Sequence, residues 1–212
     1  MKSVSTPKTS RREEARALFR NAILEAAESI FAERSFHEAR IQDIAARARV
    51  GVGTVYNHFE QKEDVFRALI DERTEAMLAT LAPAKGDPKN FEAALLARVT
   101  RLLGYVEEHR GLFQIVMSFG VSASVTDESA KELCGKSVKR IERMRAAWGQ
   151  LVREGIAAGA LDERNPDDLA VFLGGTVRSI TLRQLMSGEP LVSRAHVIVD
   201  LFLGGARRKG KA

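Results

Sequence analysis

The chain has 212 residues, 45% of them hydrophobic and 29% charged, the proportions of an ordinary soluble globular protein and enough length to bury a core. No run of about 18 uncharged apolar residues occurs, which excludes a membrane-spanning helix, and the single cysteine, Cys134, excludes an internal disulfide framework and a four-cysteine zinc site. Thirty-three Lys+Arg against 28 Asp+Glu leave a formal charge of +5, a balance that tolerates a polyanionic partner without demanding one.

In chain order, residues 1–12 read as a flexible basic leader, and MKSVSTPKTSRREEAR lacks the apolar run of a secretory signal, so the expected location is the cytoplasm. Apolar residues then recur at three- and four-residue spacing. Phe19, Ile23, Ala27, Ile30 and Phe31 share one face, followed by Val65, Phe66, Leu69, Ile70 and Met77, then Phe91, Leu95, Val99, Leu102 and Val106. A longer run carries Val138, Ile141, Met144, Trp148, Leu151 and Val152. No segment alternates β-branched residues between hairpin turns, so the predicted fold is all-α, with eight or nine helices. Asp87-Pro88 and Asn165-Pro166-Asp167-Asp168 read as helix openings, Ser193 as the cap of the last helix, and Gly159 and Gly188 as helix stops. Residues 1–10 and the basic tail 207–212 are expected to be disordered.

The informative stretch is Arg40 to Lys62. Ile41, Ile44 and Ala45 form the inner face of a short helix, and the tight turn Arg49-Val50-Gly51 leads to a second whose inner face is Val52, Val55 and Phe59. That spacing turns Gly53, Thr54, Asn57 and His58 outward, with Tyr56 at the flank. Two short helices joined by a glycine-containing turn, the second with a polar outer face, predict a helix-turn-helix within a three-helix DNA-binding domain spanning 13–64. A groove-reading face needs small residues for close approach and side chains that bond base edges or phosphates. Asn57 is the best candidate for a base contact, because its amide pairs bidentately with adenine. Gln42 either assists from the first helix or is a solvated surface glutamine. The six Lys and Arg of residues 1–20 outnumber Glu13 and Glu14, and are either a solvated face or an arm following the DNA backbone.

This segment, with Phe36 ahead of it, resembles the DNA-binding domain of the tetracycline-repressor (TetR) family of bacterial transcription regulators. The family's pattern runs from a Phe-Ala-containing helix through D-I-A-x-x-A to G-x-x-Y-x-H-F-x-x-K. Those positions read Phe31-Ala32, Asp43-Ile44-Ala45 with Ala48, then Gly53, Tyr56, His58-Phe59 and Lys62. The motif resemblance covers about residues 14–70, and the remainder only as architecture. It implies that Thr54, Tyr56 and His58 touch phosphates or base edges, and that the Lys62 ammonium holds a phosphate beside the free N–H groups opening the next helix. Two positions depart from the pattern: Arg49 stands where the family usually has glycine, and Ala39-Arg40 where it often has a capping threonine. Arginine at positive φ is strained by about a kilocalorie or more, unless Gly51 absorbs the bend. Arg49 is also placed to reach a phosphate.

By the same resemblance, residues 65–206 build a C-terminal helical ligand-binding and dimerisation domain whose small-molecule effector moves the DNA-binding heads. Candidate wall residues are Tyr105, His109, Phe113, Met117, Phe119, Cys134, Met144 and Trp148, aromatic and adaptable side chains that are otherwise core. Arg178, amid apolar residues, is either an interface ion-pair partner, the favoured reading, or an anchor for an acidic ligand. Gly174-Gly175 lies mid-helix, where each glycine costs roughly 1 kcal/mol relative to alanine, and close approach of a partner helix would compensate. Phe172, Gly174, Gly175 and Ile180, with Val197, Leu201 and Phe202 of the last helix, then form a homodimer interface; alternatively both helices pack within one subunit. Paired heads about 34–36 Å apart suit a near-palindromic double-stranded operator.

Two rival functions stand beside this reading. An all-α enzyme has little support: His37, His58, His109 and His196 are scattered, and neither a G-x-S-x-G nor a phosphate-loop motif occurs. Gly51-Val52-Gly53 lacks the third glycine of a dinucleotide fingerprint. A helical interaction module without DNA activity is the second alternative. No cofactor, metal or membrane partner is expected.

Overall fold

The computed structural model describes residues 11–34, 36–122, 137–163 and 165–206, with the backbone alone described at 117–122 and 137–138. Among these residues the chain forms nine α-helices, one 3-10 turn and no strand. They are α1 (Arg11–Glu33), α2 (Ile41–Ala48), α3 (Val52–Tyr56), α4 (Lys62–Ala79), α5 (Phe91–Glu108), α6 (Arg110–Ser122), α7 (Ser137–Ala157), α8 (Pro166–Ser187) and α9 (Ala195–Ala206), the turn lying at Val192–Arg194. No described helix is long and apolar enough to cross a membrane. The chain separates into two compact units, one ending at Ile70 and one beginning at Asp71. α4 begins in the first and ends in the second.

In the first unit α1 supplies Ile23, Leu24, Ala27, Ile30 and Phe31 to a core completed by Ile44, Val55, Val65, Phe66 and Leu69. The rings of Phe31, Phe36 and Phe66 meet at centroid distances of 4.9–5.6 Å, Phe31 and Phe66 edge to face. The Arg47 guanidinium donates two parallel bonds, 2.8 and 2.9 Å, to the Glu33 carboxylate, tying α2 to the end of α1 and holding that carboxyl below its ordinary range. Two expectations change here. Arg11 and Arg12, read as leader, open α1, and Phe19, placed on the inner face, is half exposed because the core begins one turn later at Ile23.

The second unit is a helical bundle in which α7 and α8 pack along one another and α9 lies against α5 and α8. Leu95, Val99, Leu103, Leu151, Val152, Leu173, Ile198 and Phe202 are at its centre. Asn165 caps α8 by accepting from the Asp167 N–H at 3.0 Å, with Pro166 at the first helical position, and Gly188 ends it at φ 75°. Asp87-Pro88 is not the cap of α5, as expected; Asn90 accepts from Ala93 N–H instead. Asp87 closes the preceding turn, accepting from the Ala84 N–H at 2.9 Å and from both amino groups of Arg101 at 2.6 and 3.1 Å. Those bonds, with Arg98 nearby, draw its carboxyl down to about 2. Nor does Ser193 cap α9: it lies in the 3-10 turn and donates to the Pro190 carbonyl. The clamp on that connection comes from the α5–α6 junction. Glu107 accepts from Leu191 and Val192 N–H, and Arg110 donates to the Gln184 and Glu189 carbonyls.

Candidate nucleic-acid interface

The site begins at the end of α2. The Val50 N–H reaches back to the Ala45 carbonyl at 3.0 Å and the Arg49 N–H to Ala46 at 3.2 Å, the bond pair of a Schellman motif. That motif puts its C′ residue in the left-handed region, and the residue there is Arg49, φ 57° and ψ 40°. Gly51 does not absorb the bend; its φ of −69° is open to any residue, and it serves as the N-cap of α3. The strain therefore lies on Arg49, the one non-glycine residue with positive φ among those described. Arg40 stands at the N-cap of α2 without a side-chain capping bond, as the sequence implied.

The turn fixes the rotation of α3. Val55 and Phe59 are buried, while Gly53, Tyr56 and Asn57 are exposed and Thr54 and His58 half buried. A Cβ added to Gly53 would meet nothing within 4 Å, so the backbone is bare on that side. Gln42 and Arg49 are exposed near the same hairpin. The His58 pKa is lowered, first by burial and then by the positive charges of Arg16 and Arg20, so at neutral pH the ring is neutral, one nitrogen donating and the other accepting.

Lys62 departs from expectation. Its ammonium donates to the carbonyls of Phe36 at 2.7 Å, Ala39 at 3.0 Å and His37 at 3.4 Å, and lies 4.5 Å from the centre of the Phe36 ring. All three protons are spent fastening the 36–39 turn to α4. This corrects the expectation that the ammonium holds a phosphate.

A family model described as bacterial regulatory proteins, tetR family, matches residues 23–69, the span of this hairpin and its supporting helices. Over that span the chain carries a DNA-binding domain of the tetR-family type. It is 27% identical over 197 residues to the HTH-type transcriptional repressor DhaR of a Mycobacterium species, covering 89% of this chain and 94% of DhaR. A TetR-family regulator from Mesorhizobium loti superposes with a TM-score of 0.71 at 20% identity, covering 94% of this chain and all of that one. FadR from Bacillus subtilis, solved in complex with stearoyl-CoA, does so at 0.71 and 18% identity, covering 87% and 98%. The protein is a DNA-binding transcriptional regulator rather than an enzyme.

In its second unit the residues expected near an effector are only partly gathered. Tyr105, His109 and Phe113 cluster where α5 meets α6, with ring centroids 4.5 Å apart for Tyr105–His109 and 6.4 Å for Tyr105–Phe113. Met144 packs half buried against the core. Trp148 is buried beneath α8. Cys134 and the side chains of Met117 and Phe119 lie outside the described residues. Arg178 is exposed on α8, which corrects its reading as an internal ligand anchor.

Among the residues expected at a dimer interface, Phe172, Gly175, Val197 and Leu201 are exposed on α8 and α9, and Ile180 is half buried. Two belong elsewhere. Phe202 is wholly buried within its own subunit, and a Cβ on Gly174 would stand 2.8 Å from Trp148 Cδ1, so that glycine admits the subunit's own tryptophan. Val171, 62% exposed one position before Phe172, was missed by sequence reasoning, although its spacing to Gly175 puts it on the same helical face.

Proposed function

We propose that the protein acts in the cytoplasm as a homodimeric repressor that binds a near-palindromic operator and is released by a small molecule. The observation that carries the reading is the division of α3: Val55 and Phe59 face inward, while Gly53, Tyr56 and Asn57 stand in solvent with Thr54 and His58 beside them. In this reading the head, about residues 13–64, lays α3 in a major groove. Asn57 meets a base, Thr54, Tyr56 and His58 meet phosphates or base edges, Gly53 allows close approach, and Gln42 and Arg49 flank the contact. The regulatory domain, from residue 65, pairs two copies through the exposed apolar face of α8 and α9. Four large apolar side chains there, Val171, Phe172, Val197 and Leu201, support that pairing. Tyr105, His109 and Phe113 form one wall of the effector site, and the stearoyl-CoA in the Bacillus subtilis FadR makes acyl compounds the first class to screen. Effector binding favours a subunit arrangement whose heads no longer match successive grooves.

Selection of bound fragments from the organism's own DNA, followed by sedimentation of the complex with the recovered duplex, tests the reading. The expected product is a near-palindrome with half-sites about 10 base pairs apart, bound by two chains. Asn57→Ala should relax preference at one base position in each half-site, costing roughly 1–3 kcal/mol there. Recovery of fragments without a shared sequence, or an Asn57→Ala variant with unaltered preference, counts against it.

A further inference from the structure

The burial that fixes α4 stops where the helix leaves the first unit. Val65, Phe66, Leu69 and Ile70 are buried, whereas from Asp71 to Ala79 only Thr74 is. Charged groups of the second unit take over at that point. Arg140 of α7 donates to the Asp71 carboxylate at 2.7 Å, and Arg143 pairs with Glu75. Asp71 and Glu75 are four apart on α4, and Arg140 and Arg143 three apart on α7, so each helix presents both of its charges on one side. At the far end of this stem Arg101 of α5 donates to the carbonyls of Thr80 and Ala82. The Arg140 side chain is only 15% exposed, so its charge is costly to leave without Asp71.

We infer that Arg140 and Arg143 are positioning residues for operator binding: paired with Asp71 and Glu75, they hold the stem of α4 in the direction that suits the operator. The inference rests on the DNA-binding reading above and adds to it residues that touch no DNA. α4 is one unbroken helix from Lys62 to Ala79, so whatever turns its stem also turns the head that its first turns help to build. Exposed ion pairs contribute little to stability, but two of them on one side of a helix set its direction where little apolar burial does. With the pairs broken, the head spends part of its time in directions from which the operator contacts cannot all form. The apparent affinity falls by the fraction of molecules that remain competent.

The test uses the full chain and a duplex that the wild type selects from a random-sequence library. Affinity and salt slope are followed by fluorescence anisotropy for wild type, Asp71→Ala, Arg140→Ala, the two together, the reversed pair Asp71→Arg/Arg140→Asp, and Arg145→Ala. Arg145, exposed on α7, controls for the loss of a positive charge. Asp71→Ala and Arg140→Ala change the net charge in opposite directions, so an effect through the overall field would strengthen binding in one and weaken it in the other. The positioning role instead requires both to bind several-fold more weakly, the double variant no more weakly than the worse single, and the reversed pair to recover most of the loss. The salt slope should stay at the wild-type value, since no phosphate contact is removed, and Arg145→Ala should follow wild type. Urea unfolding confirms that each variant is folded. Should Arg140→Ala not fold, Arg143→Gln takes its place: both side chains of its pair are about half exposed, and it too should bind more weakly at an unchanged slope. Single variants with wild-type affinity, effects of opposite sign, additive losses or a reversed pair that recovers nothing overturn the proposal. A wild type that selects no duplex overturns the DNA-binding reading itself.

Discussion

Arg49 holds the left-handed position that lets α2 end and α3 begin within three residues. Its Cβ meets the following carbonyl there, a strain of about 1–2 kcal/mol, partly offset because glycine would lose more chain entropy on folding. Arg49→Gly should therefore raise the stability of the full chain by about 0.5–1 kcal/mol in urea unfolding, while weakening DNA binding if the guanidinium reaches a phosphate. Lys62 shows the opposite economy, since one ammonium donates to three backbone carbonyls of the 36–39 turn. Lys62→Ala should lower stability by about 1–3 kcal/mol, because those carbonyls lose a charged donor. Its DNA affinity should fall through loss of folded heads, with the salt slope unchanged. A slope reduced by a full unit at wild-type stability would return the ammonium to the DNA.

Two neighbouring glycines give α8 opposite sensitivities. Gly174 lies where a side chain would strike Trp148, whereas a Cβ on Gly175 meets nothing within 4 Å. Gly174→Ala should destabilise the chain by about 1–2 kcal/mol, since overpacking outweighs the gain in helix propensity. Gly175→Ala should stabilise the isolated chain by about 0.5–1 kcal/mol and at the same time weaken dimerisation, because it thickens the face proposed for the partner helix. Sedimentation of both variants over a concentration series separates the effects. A Gly175→Ala dimer as tight as wild type would place the interface elsewhere.

Acid should expose what holds the second unit together. The carboxyls of Asp87 and Glu107 both lie below their ordinary values in the folded chain, through bonds from Arg101 and Ala84 N–H for the first, and from Val192 and Leu191 N–H and Arg110, against burial, for the second. A carboxyl depressed by folding contributes stability that is complete above its unfolded value and vanishes as pH falls through the folded one. For Asp87 that window runs from its ordinary 3.8 down to about 2. Asp87→Asn should be less stable than wild type at neutral pH and decline less steeply across that window, followed by circular dichroism. In the first unit His58 works in the reverse chemical sense but with the same slope. Its lowered pKa means that protonation below its ordinary 6.5 favours unfolding, so the head too should weaken as pH falls.

The helical fold and the inner faces of α2 and α3 were legible in the chain alone, because burial on a helix leaves a 3.6-residue period that needs no knowledge of neighbours: Ile41, Ile44, Ala45, Val55 and Phe59 are all buried as spaced. Asn165-Pro166 and Gly188 were equally readable, since caps act within a few residues of themselves. What only the tertiary structure decided was the partner of each side chain that crosses between elements. Lys62 finds the carbonyls of a turn some 25 residues away, Gly174 makes room for Trp148, Phe202 turns inward, and Asp87 closes on Arg101 instead of capping α5. Periodicity assigns a face to the inside or the outside; it carries no record of which atom waits on the other side, and that depends on how helices distant in sequence are brought together.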